Sequence, residues 1–216
     1  DELGRAVVAA HPEVVLADNT QVRVQGWLLG SGLGEKETRR AQTQQVLTEA
    51  NEHALPIVVD ANALELIGAH DAGAQHRILT PHAGEAAALL ERLGHKVLRE
   101  QVEADPLQAA ELLANNTGST VVLKGPQTVI TDGQSTVIYP GGHPFLATAG
   151  TGDTLAGICA AVATGWAEHQ NPPSLVLQAA AAVWVHGAAS YRAAQTGPFG
   201  ASALAAEVRR VLAELH

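Results

Sequence analysis

The feature that most constrains this chain is a repeated switch of hydrophobic period, from short apolar runs to stretches of helical spacing. "GWLLGSG" over 26–32 reads as a buried strand entering a glycine turn, and the polar stretch 35–53 after it, with Val46 and Leu47 among charges, reads as a helix. "PIVVDANAL" over 56–64 is a β-branched strand with Asp60 at its end, and "HRILTPH" over 76–82 is another. "GEAAALLERLG" then places Leu89, Leu90 and Leu93 at helical spacing, with Gly94 as the stop. A helix over 105–115 precedes the strand "STVVLKG" at 119–125. Parallel neighbours in a sheet need a crossover, usually a helix. The alternation therefore predicts an α/β domain with a mostly parallel sheet flanked by helices.

Two departures refine the pattern. "QTVITDGQSTVIYPGG" is a pair of β-runs around Asp132-Gly133, which predicts an antiparallel hairpin. From 151 onward the chain turns helical. Leu155, Ile158, Val162 and Trp166 share one helical face, the Ala-rich 174–195 is a long helix expected to be buried, and 201–216 is a final amphipathic helix. The 174–195 helix carries Trp184 and Tyr191 with little charge, so it needs cover on most sides.

A chain of 216 residues, 46% of them hydrophobic, suits one domain over 1–216 with a sizeable core. The net charge of −9 argues against nucleic-acid and membrane-surface roles. An anionic ligand would then have to be held by local N–H groups, a helix dipole or a metal. The single Cys159 excludes an internal disulfide and fits a reducing cytoplasm. No signal peptide and no uninterrupted apolar run of bilayer length is visible. The chain begins at Asp1 and contains no Met, so a processed chain, a fragment or an incomplete sequence is expected.

Four unusual clusters fall at strand ends: 30–34, 80–85, 124–128 and 150–153. Ligands of open α/β sheets gather at the carboxyl ends of strands, so this convergence outweighs any one cluster. "AGTGD" (149–153) opens a helix; its glycines let backbone approach a ligand, and the leading N–H groups, from Gly150 to Gly152, form a nest for a phosphate. Asp153 beside that nest is suited to take a proton from a hydroxyl while the N–H groups hold the phosphoryl group being attacked. A plain cap favoured by the helix dipole is the alternative. "TPHAGE" (80–85) puts His82 and Glu85 one turn apart where Pro81 ends a strand, either as a surface cap or as site residues. "KGPQT" (124–128) ends an apolar strand with Lys124, which either meets a phosphate or snorkels to water. The spacing of a P-loop is absent, as are a nucleophile elbow and metal spacing such as His-x3-His.

"ATAGTGDTLAGICAAVATG" closely resembles the signature of the ADP-dependent (S)-NAD(P)H-hydrate dehydratases of the ribokinase-like superfamily, and "LTPHAGEAAALL" (79–90) resembles their second signature. "GSGLG", "VVDANAL", "VVLKGPQTVI" and "VWVHGAA" follow in the same order, so the resemblance runs from about residue 26 to the C-terminus. It implies a ribokinase-like, Rossmann-like fold and repair of hydrated nicotinamide cofactors. A phosphoryl group from ADP or ATP activates the 6-hydroxyl, and phosphate leaves as NAD(P)H reforms. By this resemblance Asp153 is the catalytic base and touches substrate. Gly34 and His82 contact the hydrated cofactor. Lys124, Gly125, Pro126, Gln127, Thr128, Gly150 and Gly152 form the adenine nucleotide site. Glu85 stands near Mg²⁺, through water; this ion accepts few carboxylates alongside phosphate oxygens. The resemblance further implies a homotetramer, or at least a dimer, and functional pairing with an NAD(P)HX epimerase.

Asp60 and Asn62 are either cleft-lining groups or helix caps, with the cleft preferred. His186, mid-helix among alanines, reads as a satisfied core or interface histidine, and Cys159 as a small core residue. The sequence departs from the family at His143 and Phe145, and a Phe there is expected to narrow the nucleotide pocket. Nothing in 1–25 matches the family's first strand and helix, so the domain is expected to lack that N-terminal part. Two rivals stand beside the dehydratase: a small-molecule kinase of the same superfamily, which stops after phosphoryl transfer, and a non-catalytic nucleotide-binding module.

Overall fold

The computed structural model describes residues 2–17, 23–32, 37–70 and 73–215. Within them a six-stranded sheet runs in sequence order: β1 Trp27–Leu29, β2 Ile57–Val59, β3 Arg77–Leu79, β4 Thr120–Leu123, β5 Thr128–Thr131 and β6 Thr136–Tyr139. β1 to β4 are parallel, and β4, β5 and β6 are joined antiparallel. The expected mostly parallel sheet with a terminal hairpin is thus present. The hairpin turns where expected: Asp132 Oδ1 accepts from the amides of Gln134 at 2.9 Å and Ser135 at 2.7 Å.

Successive strand residues face opposite sides of a sheet. Ile57, Val59, Leu79, Val121 and Leu123 pack under α3 (Ala83–Arg92) and α5 (Pro106–Thr117). Val58, Ile78, Val122 and Ile130 pack under α6 (Thr151–Trp166) and α7 (Leu175–Ala194). Burial on both faces explains why the strands read as unbroken apolar runs. Each fully buried Val, Leu or Ile contributes roughly 1.5–3 kcal/mol. α8 (Ala201–Ala213) packs on α7 through Leu204 and Val211.

Local signals set the boundaries. Asp105 caps α5 by accepting from Gln108 N at 3.0 Å, Pro106 occupies the first turn, and Gly118 ends the helix at φ 70°. The polar stretch after β1 forms α2 (Glu37–Glu52). The structure differs from the sequence reading at four places. β2 ends at Val59, and 61–66 is a 3-10 helix rather than strand, entered through Ala61 at φ 47°. Two short helices appear where none was expected: α1 (Glu2–Ala10) and α4 (Arg99–Ala104), the latter anchored by buried Val102. Finally, α7 is not buried all round, since Leu177, Trp184 and Tyr191 form a seven-residue-spaced stripe 56%, 45% and 54% exposed.

Candidate active site

Ser31, Asp60, Thr80 and Lys124 follow the carboxyl ends of β1, β2, β3 and β4. Lys124 is the hub. Its Nζ lies 2.8 Å from Asp60 Oδ1 and 3.9 Å from Glu85 Oε2, and Thr80 Oγ1 donates to the same Asp60 oxygen at 2.8 Å. Asp60 is only 3% exposed, and a buried carboxylate persists only when paired and hydrogen-bonded. Its side chain therefore serves Lys124 and makes no cap on the 3-10 helix it precedes. A glycine is required opposite it: Gly30 sits at φ 131°, and a Cβ there would overlap the Asp60 carbonyl. Asn62 is exposed and lines neither cavity described below.

The start of α6 presents uncapped backbone amides. Gly150, at φ 86°, precedes the helix without a side-chain cap, and the leading amides of any helix lack intrahelical acceptors. A Cβ on Gly152 would stand 3.5 Å from Lys124 Nζ, so the ammonium lies beside this bare turn. Asp153, in the same turn, receives a hydrogen bond from the Ser31 hydroxyl rather than capping its own helix. His82 and Glu85 form a reciprocal capping box on α3: His82 Nδ1 accepts from Glu85 N at 3.1 Å, and Glu85 Oε2 accepts from His82 N at 2.8 Å. The cap reading of this pair thus holds in full, and it also holds the Glu85 carboxylate toward Lys124. β4 is extended past Leu123 by Lys124 N donating to Pro81 O at 2.8 Å, which draws the His82 and Lys124 loops together.

Two cavities open at this edge. The first, about 580 Å³, lies on the α6–α7 side and is lined by Lys124, Gly125, Pro126, Thr128 and Gly152, with an apolar wall of Leu155 and Val183. The second, about 760 Å³, lies on the α3–α4 side and contains His82 and Gln127. Lys124, Gly125 and Pro126 form the wall between them. Gln127 therefore departs from the nucleotide cluster expected of it, because the turn aims it at the other cavity. Gly150, Glu85 and Asp153 line neither cavity. Gly34 lies outside the described residues.

Sequence reasoning missed Ser31, Tyr139 and Gly187. Tyr139 lines the first cavity from β6, and burial pushes its phenol pKa up. A Cβ on Gly187 would overlap the Tyr139 hydroxyl, so the glycine in "VWVHGAA" makes room for that ring. His186 is 7% exposed with Nε2 2.9 Å from Thr151 O; burial lowers its pKa, and a carbonyl only accepts, so Nε2 carries the proton. It is satisfied, as expected, and also lines the first cavity. Phe145 does not narrow that cavity. It turns away to pack on His143 at 4.6 Å and Phe199 at 5.9 Å, and His143 lines the cavity instead.

The sequence profile of the NAD(P)H-hydrate dehydratases matches residues 5–211. This chain belongs to that family. The match starts at residue 5 and takes in the segment before β1, where motif reading found no resemblance. The ADP-dependent (S)-NAD(P)H-hydrate dehydratase of Neisseria meningitidis is 36% identical over 221 residues, covering 96% of this chain and 70% of that protein. The bifunctional NAD(P)H-hydrate repair enzyme Nnr of Vibrio cholerae is 38% identical over 162 residues, and the matched region spans 30% of its length. The crystal structure of the ADP/ATP-dependent NAD(P)H-hydrate dehydratase of Bacillus subtilis, co-crystallized with ATP/Mg²⁺ and soaked with CoA, superposes with a TM-score of 0.80. It is 25% identical and covers 100% of this chain and 78% of its own. The fold is the ribokinase-like one: a ribokinase-like superfamily protein of Enterococcus faecalis, 28% identical, superposes with a TM-score of 0.68 over 87% of this chain and 64% of its own.

The donor set fits Mg²⁺ in a limited way. Among the described residues no three His, Cys, Asp or Glu side chains are grouped to cage a metal. Glu85 offers one carboxylate whose Oε2 is engaged by a backbone amide, and Mg²⁺ is satisfied by one or two carboxylates with nucleotide phosphates and water. No helix among the described residues is long and apolar enough to cross a membrane.

Proposed function

We propose that this chain performs ADP- or ATP-dependent dehydration of (6S)-NADHX and (6S)-NADPHX to NADH and NADPH. The observation that carries the reading is the meeting of a carboxylate, a bare helix turn and a cation: Asp153, Gly152 and Lys124 converge at the end of the parallel strands. The nucleotide lies in the first cavity, its base against the apolar wall and its phosphates at Gly152, Lys124, Gly125, Pro126 and Thr128. Asp153 takes the proton of the 6-hydroxyl as it attacks the terminal phosphoryl group, leaving AMP from ADP or ADP from ATP. Ser31 holds the Asp153 carboxylate, and the Gly152 amide with Lys124 stabilises the charge on the phosphoryl oxygens. The phosphorylated hydroxyl then departs as phosphate with the electrons of the C6–O bond, the neighbouring C5 gives up a proton that the phosphate or water takes, and the C5=C6 bond of the dihydronicotinamide is restored. His82 and Gly34 contact the hydrated ring. Mg²⁺, held through Glu85 and the nucleotide phosphates, would neutralise phosphate charge.

The exposed Leu177–Trp184–Tyr191 stripe supports assembly with further copies of the chain, as a dimer or homotetramer. A reduced Cys159 and nicotinamide substrates support a cytoplasmic site of action, where an NAD(P)HX epimerase would supply the reactive epimer. The test is incubation with NADHX, Mg²⁺ and ADP or ATP, following the absorbance of regenerated NADH. Stable phosphorylation of an alcohol without NADH formation would establish the kinase instead. Nucleotide binding with neither reaction would leave only a binding module.

A further inference from the structure

The proposed reaction brings two large anionic molecules together at one point, a nucleotide and a dinucleotide. A cavity of about 580 Å³ is the size that one such ligand fills, and it cannot hold both. The second cavity, about 760 Å³, is separated from the first only by Lys124, Gly125 and Pro126, so a ligand in it reaches the same ammonium from the opposite side. Its floor is apolar, with Val102 and Leu123 nearly fully buried.

The cavity also carries a cation. Arg99 opens α4 and lies over the first turn of α3: a Cβ on Gly84 would stand 3.9 Å from Arg99 Cδ. Arg99 Nε is 2.8 Å from Glu103 Oε1, which orients the guanidinium. Its two terminal amino groups have no protein partner among the described residues. A planar guanidinium with a free edge suits a phosphate, which it can meet with paired hydrogen bonds. Glu103 lines the same cavity and balances the Arg99 charge, so Arg99 contributes its directed N–H groups while Lys124 supplies positive charge at the wall.

We propose that this second cavity receives the phosphate-linked adenylate half of the dinucleotide substrate, with Arg99 as its anion contact. The inference rests on the dehydratase reading above. It assigns the specificity for a whole dinucleotide, as against a bare nicotinamide nucleoside, to α4 rather than to the catalytic turn.

The experiment compares the wild type with Arg99→Ala and Arg99→Lys. The expected result is a KM for NADHX raised about ten- to hundredfold in Arg99→Ala, the range for a hydrogen bond to a charged group, with KM for ADP and kcat little changed. Arg99→Lys restores part of the loss. With hydrated reduced nicotinamide riboside, which bears no phosphate, wild type and Arg99→Ala should perform alike. An unchanged KM for NADHX overturns the inference, and so does a rise confined to KM for ADP. If the wild type never regenerates NADH, the dehydratase reading fails by itself. Titration of NADH fluorescence in the presence of saturating AMP then decides the cavity: weaker binding by Arg99→Ala supports it, and equal binding overturns it.

Discussion

Lys124 Nζ and Asp60 Oδ1 meet at 2.8 Å across β3, and Thr80 at the end of β3 donates to the same oxygen. Asp60→Asn removes the negative charge and leaves the cation beside Glu85 at 3.9 Å. Breaking a fully buried pair costs about 3–5 kcal/mol. The Lys124 side chain is 20% exposed, so a smaller loss of about 1–3 kcal/mol is expected here. Urea unfolding of Asp60→Asn, Lys124→Met and the double variant measures it. The double variant should be less destabilised than the sum of the singles; simple additivity would show that the pair is not coupled.

Asp153→Asn should abolish turnover and largely preserve ADP binding. Asn is nearly isosteric, and the turn of Gly150 to Gly152 is untouched. Loss of a general base costs about 10²–10⁴-fold. NADH regeneration and ADP affinity are read on the same variant, and a near-normal rate would reduce Asp153 to a structural role.

Ser31→Ala should lower kcat by less than Asp153→Asn, by about tenfold, because the base survives while its hydroxyl partner is lost. ADP affinity should not move. A rate equal to wild type would mean that the Asp153 carboxylate needs no second tether.

His186 gives a pH dependence to stability. Its folded pKa lies below the ordinary value of 6.5, chiefly through burial. The unfolded chain then binds more protons, so stability is fully present above pH 6.5 and falls as pH drops toward the folded value. Urea midpoints between pH 7.5 and 5 should decline more steeply for the wild type than for His186→Gln. Parallel declines would assign the acid sensitivity elsewhere.

Cys159 should be inert in the native protein. Burial pushes its thiol pKa to about 12, so thiolate is scarce at neutral pH and no reagent reaches it. An aromatic disulfide reagent should release one equivalent only after denaturation; rapid labelling of the native chain would contradict the packing of α6.

Much of the frame is legible in the residues because period-2 and period-3.6 patterns, glycine stops and the Asp132-Gly133 turn are local signals. Three of the four clusters expected at strand ends do follow β1, β3 and β4, since parallel strands must end on one side, whereas 150–153 opens α6 after a 3-10 helix and not after a strand. What stayed hidden is non-local or short. α4 spans too few residues to display a period, yet it carries Arg99 into a cavity wall. Asp60 reads as a cap until β4 brings Lys124 against it. Tyr139 sits in an unremarkable β-run, and only the missing side chain of Gly187, far along the chain, shows where its ring goes. The turn at 124–128 looked like a single ligand cluster, but its backbone splits it, with Gln127 facing away from Thr128's cavity.

The Lys124–Gly125–Pro126 wall has a practical consequence for inhibition. Two cavities that share a partition three residues thick can be occupied by one molecule, a bisubstrate ligand with an adenylate arm in each and a linker passing Lys124. Once the first arm is seated, the second is held at high effective concentration, and avidity can exceed that of either arm by about 10²–10⁴-fold where the linker length matches the span.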